Sequence, residues 1–147
     1  MRNMVFRGPI KLPHKTFAEA VSFDELTMEN TQLGTVLIIT GERFEQETGT
    51  ATITFDAIKP DGTEIKGIKF LKRQEEVCRY DEVESDEIKI EDCPQYREYA
   101  IRGRMLAKTG ANKIRVNISA VEGSQTNCCV FVEARSLRYT SEMPWTD

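Results

Sequence analysis

The sequence predicts an antiparallel all-β fold, and three observations carry that reading. From Gly34 onward the apolar residues recur with period two, as they do along half-buried strands. Turn signals separate these runs: "ETG" at Glu47–Gly49, "PDG" at Pro60–Gly62 and "KTGANK" at Lys108–Lys113. The order is three consecutive strands, a long connection, a two-strand hairpin and one further strand, a plan whose edges must be closed or covered.

Taken in order, the N-terminal part is the exception. Thr16-x-x-Glu19 and Ser22-x-x-Glu25 match capping boxes, each with a phenylalanine just inside. They predict short helical turns across Phe17–Leu26 that bury Phe17, Phe23 and Leu26. The first strand, "TVLIITGERFEQ", is interrupted by Gly41, where a bulge or sharp bend is expected. In the second, "TATITFDAIKP", Ala51, Ile53, Phe55 and Ala57 alternate with Thr52, Thr54 and Asp56. The third, "TEIKGIKFL", needs a slip at Gly67 to turn Ile65, Ile68 and Phe70 inward, which leaves Lys66 and Lys69 outward.

An acidic connection follows, "KRQEEVCRYDEVESDEIKIEDCPQYRE". It is expected to hold a helical turn near Gln74–Arg79 and an edge strand at Glu87–Glu91. The closing hairpin, "YAIRGRMLAKTGANKIRVNISAVEG", buries Ile114, Val116, Ile118 and Ala120 and lifts Lys113, Arg115, Asn117 and Ser119 to the other face. "CCVFVEARSLRY" is the extra C-terminal strand, and "TSEMPWTD" with Trp145 is a polar tail.

A chain of 147 residues is read as one domain, large enough to bury a core without disulfides. Within it, residues 1–33 form an N-terminal extension, 34–123 the main β unit with its acidic connection at 72–98, and 124–147 the last strand and tail. The apolar run "VLII" at Val36–Ile39 is far too short to cross a bilayer, and "MRNMVFRGPIKLPHK" lacks the apolar region of a secretory signal. Cytoplasm or nucleus is the expected location, with no membrane association. Cys78, Cys93, Cys128 and Cys129 show no paired spacing, and the only histidine, His14, is far from them. They read as reduced structural thiols; no metal or other cofactor is expected.

Net charge is −4 but uneven: Lys72–Glu98 holds ten acids and five bases, a net of −5, whereas the rest holds 14 acids and 15 bases, a net of +1. Local basic surfaces are therefore compatible with an acidic chain.

The strand order, the glycine in "VLIITGERF", and Gly103, Gly110 and Val121-Glu122 in the closing hairpin resemble the OB-fold family, in the subfamily typified by the middle subunit of replication protein A. The resemblance covers 34–123 and implies a five-stranded antiparallel OB-like barrel. Two features depart from the family: the long acidic connection, and a strand where a C-terminal helix would stand. In such a barrel the third strand pairs with the fifth and the fifth with the fourth. That pairing would align Lys66 and Lys69, Lys113 and Arg115, and Arg102 and Arg104 as one basic stripe able to track phosphates. The resemblance also implies ligand contacts from Arg43, Phe44, Lys108 and Lys113 in the loops, with Phe44 and Tyr99 as stacking platforms.

The function expected is a non-enzymatic module binding single-stranded nucleic acid, with a protein partner, as one subunit of a larger complex. No spacing places His14 or a carboxylate beside a nucleophile, so no catalytic residue is expected. Two alternatives stay open. The cations are also what exposed strands carry for solubility and edge protection. The fold also suits a β-sandwich or OB-type structural or protein-interaction component, viral or of another assembly, without nucleic acid.

Overall fold

Thr50–Ile58 (β5) buries Ala51, Ile53, Phe55 and Ala57, and Lys113–Ile118 (β11) buries Ile114, Val116 and Ile118, as their period-two patterns require. The computed structural model describes residues 4–11, 15–27, 33–74 and 79–137. The remaining strands are Met4–Lys11 (β1), Lys15–Thr16 (β2), Val21–Thr27 (β3), Leu33–Thr40 (β4), Glu64–Ile65 (β6), Phe70–Arg73 (β7), Tyr80–Val83 (β8), Asp86–Lys89 (β9), Tyr96–Arg102 (β10) and Asn127–Leu137 (β12). One short helix, Gly103–Ala107 (α1), joins β10 to β11, and a 3₁₀ turn at Ile90–Asp92 follows β9. No helix among the described residues is long and apolar enough to cross a membrane.

All strand pairings are antiparallel and fall into two sheets. The large sheet runs β1-β12-β4-β10-β7-β8, with β2 added to β12; the small one runs β3-β11-β5-β6, with β9 also on β5. Their inner faces share one core, in which Val36, Ile38, Tyr99, Ile101, Val130 and Val132 of the large sheet meet Ile53, Phe55, Ile114, Val116, Ile118 and Ile88 of the small one. Phe55 stacks on Phe70 across the sheets at 4.4 Å, and Tyr99 meets both rings edge-on. The structure is therefore a two-sheet sandwich.

The all-β antiparallel class is as the sequence predicts, with the third strand, the edge strand β9 and the extra strand β12 in place. The sheets do not close into a barrel. Two switch points explain why. At Gly67, with φ +64°, the third strand breaks: β6 stays beside β5, while β7 crosses to β10 in the other sheet. The expected closing hairpin is the second. "GRMLA" is rich in good helix formers, and it coils into α1 with Leu106 buried, so β10 and β11 belong to different sheets. Nor does the first strand bend through Gly41; it ends at Thr40, and Gly41 N–H bonds Asn127 O at 2.9 Å.

The N-terminal helical turns are also not formed. Thr16 Oγ1 accepts from Ala18 N–H, a local turn, and Ser22 Oγ donates to Asn117 Oδ1 across the strands. The open edge of β11 pairs with β3 along Val21–Thr27, so tertiary pairing overrides the capping pattern. Phe17 is buried as expected; the side chains of Phe23 and Leu26 lie outside the described residues, as do His14, Cys78, most of the Gln74–Arg79 turn and the tail with Trp145. Ala120, expected inside, follows the end of β11 and is exposed.

Candidate functional site

The basic residues singled out in the sequence fall into three separate groups. On the outer face of the small sheet, Lys66 Nζ lies 2.9 Å from Glu64 Oε1 and 3.6 Å from Asp56 Oδ2, and Arg115 Nη1 bonds Glu64 Oε1. Asp56, only 4% exposed, also accepts from Gly67 N–H at 3.0 Å and Asn117 Nδ2 at 2.9 Å. The hydrogen bond from Lys66 and the charge of Arg115 hold the Glu64 carboxyl below its usual range, and that bond and the charge of Asp56 raise the Lys66 ammonium. Lys69 sits 3.7 Å from Glu82 at the edge of the other sheet. These three cations are matched by acids, and the single stripe is not formed, because β10 and β11 do not pair.

Arg43 and Phe44 lie past the end of β4. Arg43 closes its own loop, Nε donating to Glu47 O at 2.6 Å and Nη2 to Gln46 O at 3.0 Å. The Glu47 carboxylate in turn accepts from Thr126 Oγ1, Ser124 Oγ and Gln125 N–H. Those bonds, Thr126 first, outweigh desolvation and lower the Glu47 pKa. Arg43 is thus spent within its own loop, Glu47 staples that loop to Ser124–Thr126, and Phe44 is left partly exposed beside it.

Arg102, Arg104, Lys108 and Lys113 are brought together at the other end, since β10, α1 and the turn into β11 run through them consecutively. Lys59, not foreseen, joins them: Asn112 N–H bonds Ile58 O at 3.0 Å, and the Lys59 side chain reaches Gly110. Among the described residues none of these five cations has a carboxylate within 4 Å. Asp61 is close enough to feel the Lys59 charge. β4 has eight residues, so roughly 26 Å separates this basic end from Arg43 and Phe44.

A different surface was missed. The outer face of the large sheet carries Leu37 and Ile39 from β4, Tyr96 from β10 and Phe131 from β12, in register across the three strands. Ile39 is 41% and Tyr96 47% exposed, and Tyr80 at the β8 edge is 39% exposed. A pocket of about 210 Å3 opens here, its walls Leu37, Tyr96 and Phe131 and its acids Glu98 and Glu133. Glu98 accepts from Tyr80 Oη, from Tyr96 Oη at 3.2 Å and from Arg73 Nη1 at 3.2 Å. Burial works to raise its carboxyl, but the bonds from Tyr80, Arg73 and Tyr96 outweigh it and keep it ionised below the usual range. Burial, then the Glu98 bond, pushes the Tyr80 hydroxyl up to about 12. The signal in the sequence was the lack of alternation: "VLII" and "CCVFV" place apolar residues on both faces of a strand.

Tyr99, expected as a stacking platform, is fully buried, its hydroxyl donating to Asp86 Oδ2 at 2.7 Å. Cys93, Cys128 and Cys129 carry no disulfide; burial pushes the Cys128 thiol up to about 12. Among the described residues no three His, Cys, Asp or Glu side chains gather as a metal site.

No family model and no curated protein matches the chain. A solved structure does. The fold is similar to that of the SPBc2 prophage-derived protein YomS. The TM-score is 0.50 at 16% identity, covering 91% of this chain and all of YomS. The likeness to YomS is one of fold, and its span takes in both sheets rather than a single hairpin.

Proposed function

We propose that this chain is a non-enzymatic structural or interaction module that holds another protein against the outer face of its large sheet. One observation carries the reading: Leu37, Ile39, Tyr96 and Phe131 form an apolar face in the middle of a sheet, where the small sheet instead carries a self-neutralised polar ladder. The partner supplies a long cationic side chain. The pocket, about 210 Å3 with aromatic walls and two carboxylates in its lining, is of a size to take one arginine or lysine side chain. The prophage origin of YomS agrees with a viral or assembly role. We place the work inside the cell, where Cys93, Cys128 and Cys129 stay reduced.

An NMR titration with a short glycine-arginine-glycine peptide tests this. Shifts centred on Thr35, Leu37, Tyr96 and Phe131 are expected; none there at millimolar peptide overturns the reading. The second reading, single-stranded nucleic-acid binding, is favoured by the five cations at the α1 end, none of which has a described carboxylate within 4 Å. Oligonucleotide binding that falls steeply with salt and is lost on reversing Arg102 and Lys113 would make it the better one.

A further inference from the structure

We infer that the end of the sandwich built around α1 binds double-stranded nucleic acid through its phosphates. The inference goes beyond the docking reading by giving the chain a second surface, and it assigns the cations of the second reading a different ligand. Lys59 follows β5 and Lys113 opens β11 in the small sheet, Arg102 closes β10 in the large one, and Arg104 and Lys108 lie on α1 and at its cap between them. Four of the five are exposed and Lys59 is half-buried. None has a carboxylate within 4 Å among the described residues, whereas Lys66, Lys69, Lys72 and Arg73 each have one.

Charge is also segregated along the strands. Glu42, Glu45, Asp92 and Glu122, all exposed, lie at the opposite end, where Ile90 N–H bonds Gly49 O and Gly49 abuts Val121. β5 puts roughly 30 Å between the two ends, against a Debye length of about 8 Å at physiological salt. The acids therefore leave the α1 end unscreened and orient the approach of a polyanion toward it. Two observations select a duplex over a single strand. Single strands are held by stacking their bases on exposed rings. The exposed rings of the described residues stand elsewhere: Phe44 at the acidic end, and Tyr96 roughly 20 Å from Arg102 along β10, joined to Tyr80 by the shared Glu98 carboxylate. The second is breadth. The cations come from both sheets, which stack about 10 Å apart, so they meet a surface rather than a line. A duplex carries one charge per about 1.7 Å of axis and is already stiff, whereas a single strand must be ordered to present its phosphates there. Backbone N–H groups of the turn are used internally, Thr109 on Leu106 O, Gly110 on Ala107 O and Asn112 on Ile58 O. The contacts therefore come from cationic side chains on phosphates, which read no sequence.

Fluorescence anisotropy on the full chain tests this, with labelled duplex DNA and duplex RNA of about 20 base pairs and their separate single strands. At about 50 mM salt a duplex should bind with a Kd on the order of 10–100 µM, at least about fivefold tighter than its single strands. The logarithm of affinity should fall against that of salt with a slope of about −3 to −4.5, and a scrambled sequence should bind equally. Arg102→Glu with Lys113→Glu should weaken binding at least about tenfold. Lys15→Glu with Lys89→Glu, the same charge change at the other end, should weaken it about twofold at most, with far-UV circular dichroism confirming both folds. Either duplex bound in this way supports the inference, and the tighter of the two names the source. Absence of duplex binding overturns it, as does an equal loss in the two variants. A single strand bound as tightly as its duplex also overturns it and favours the second reading. Poly-glutamate that displaces the duplex as well as unlabelled duplex does would make this end a protein site and overturn it too. None of these outcomes bears on the arginine-peptide titration, so the docking reading stands or falls separately.

Discussion

Replacing Asp86 by alanine is expected to cost about 3–4 kcal/mol, because this one carboxylate ties the sheets together. Asp86 lies on β9 of the small sheet, opposite Ile53, with its side chain 12% exposed. It accepts from Tyr99 Oη at 2.7 Å and Lys72 Nζ at 2.9 Å, and Arg97 Nε stands 3.6 Å away; all three come from the large sheet. Burial first, then the Asp86 bond, raises the Tyr99 hydroxyl, so it stays a donor across the usable pH range. Truncating Asp86 strands that donor in a fully buried site, at about 1–3 kcal/mol, and leaves two shielded cations without this acid. Tyr99→Phe removes only the hydroxyl and leaves Asp86 with Lys72 and Arg97, so it should cost about 1 kcal/mol. Urea unfolding followed by circular dichroism reads both: at an m-value of about 2 kcal/mol/M the alanine variant should shift its midpoint by about 1.5–2 M. The double variant should cost about 1 kcal/mol less than the sum of the singles. A loss below about 1 kcal/mol for Asp86→Ala, or full additivity with Tyr99→Phe, would refute the account of Asp86 as the inter-sheet tie.

Three further outcomes are expected. The Glu47 carboxyl is lowered from 4.5 in the fold, so its stabilising bonds are present above that value and are lost as pH falls through the depressed one. Thermal melts should drop on acidification below about pH 4.5, and Glu47→Gln should flatten part of that drop; an unchanged slope would remove Glu47 from the cause. Gly49→Ala should destabilise by about 2 kcal/mol, since φ is +141° and an added Cβ would stand 2.6 Å from Val121 Cγ1. Ile118→Asp should unfold the protein by burying an unpaired charge, while Lys113→Asp should leave the melting temperature within a few degrees.

Parity was the most legible property of this sequence. It placed Ala51, Ile53 and Phe55, Ile114, Val116 and Ile118, and the inward turn of Phe70 through Gly67, because each depends only on side chains alternating along a local strand. Which strands pair was not legible, since that depends on where the chain leaves one sheet for the other. "GRMLA" decides it for the closing segment: coiled as α1, it sends β11 to β3 and β5 rather than to β10, and the imagined stripe divides. Capping boxes misled at Thr16 and Ser22 because their hydroxyls served a turn and a cross-strand bond. The apolar outer face could have been found, because Leu37 and Phe131 broke the alternation of otherwise patterned strands. Its partner acids could not, since Glu98 reaches the pocket only through the register of β10 on β4.

The charge imbalance of the chain has a structural use, because the acidic segment is built largely of strands, β8, β9 and the start of β10. Along β9 and β10 its acids take two directions. Asp86 turns inward and ties the sheets; Glu98 turns outward and collects Tyr80, Tyr96 and Arg73. The same segment therefore stiffens the sandwich and builds the acidic side of the exposed pocket. The cations divide in a parallel way. Lys66 and Arg115 neutralise Asp56 and Glu64 and are absorbed by the fold, whereas the five around α1 have no described carboxylate within 4 Å.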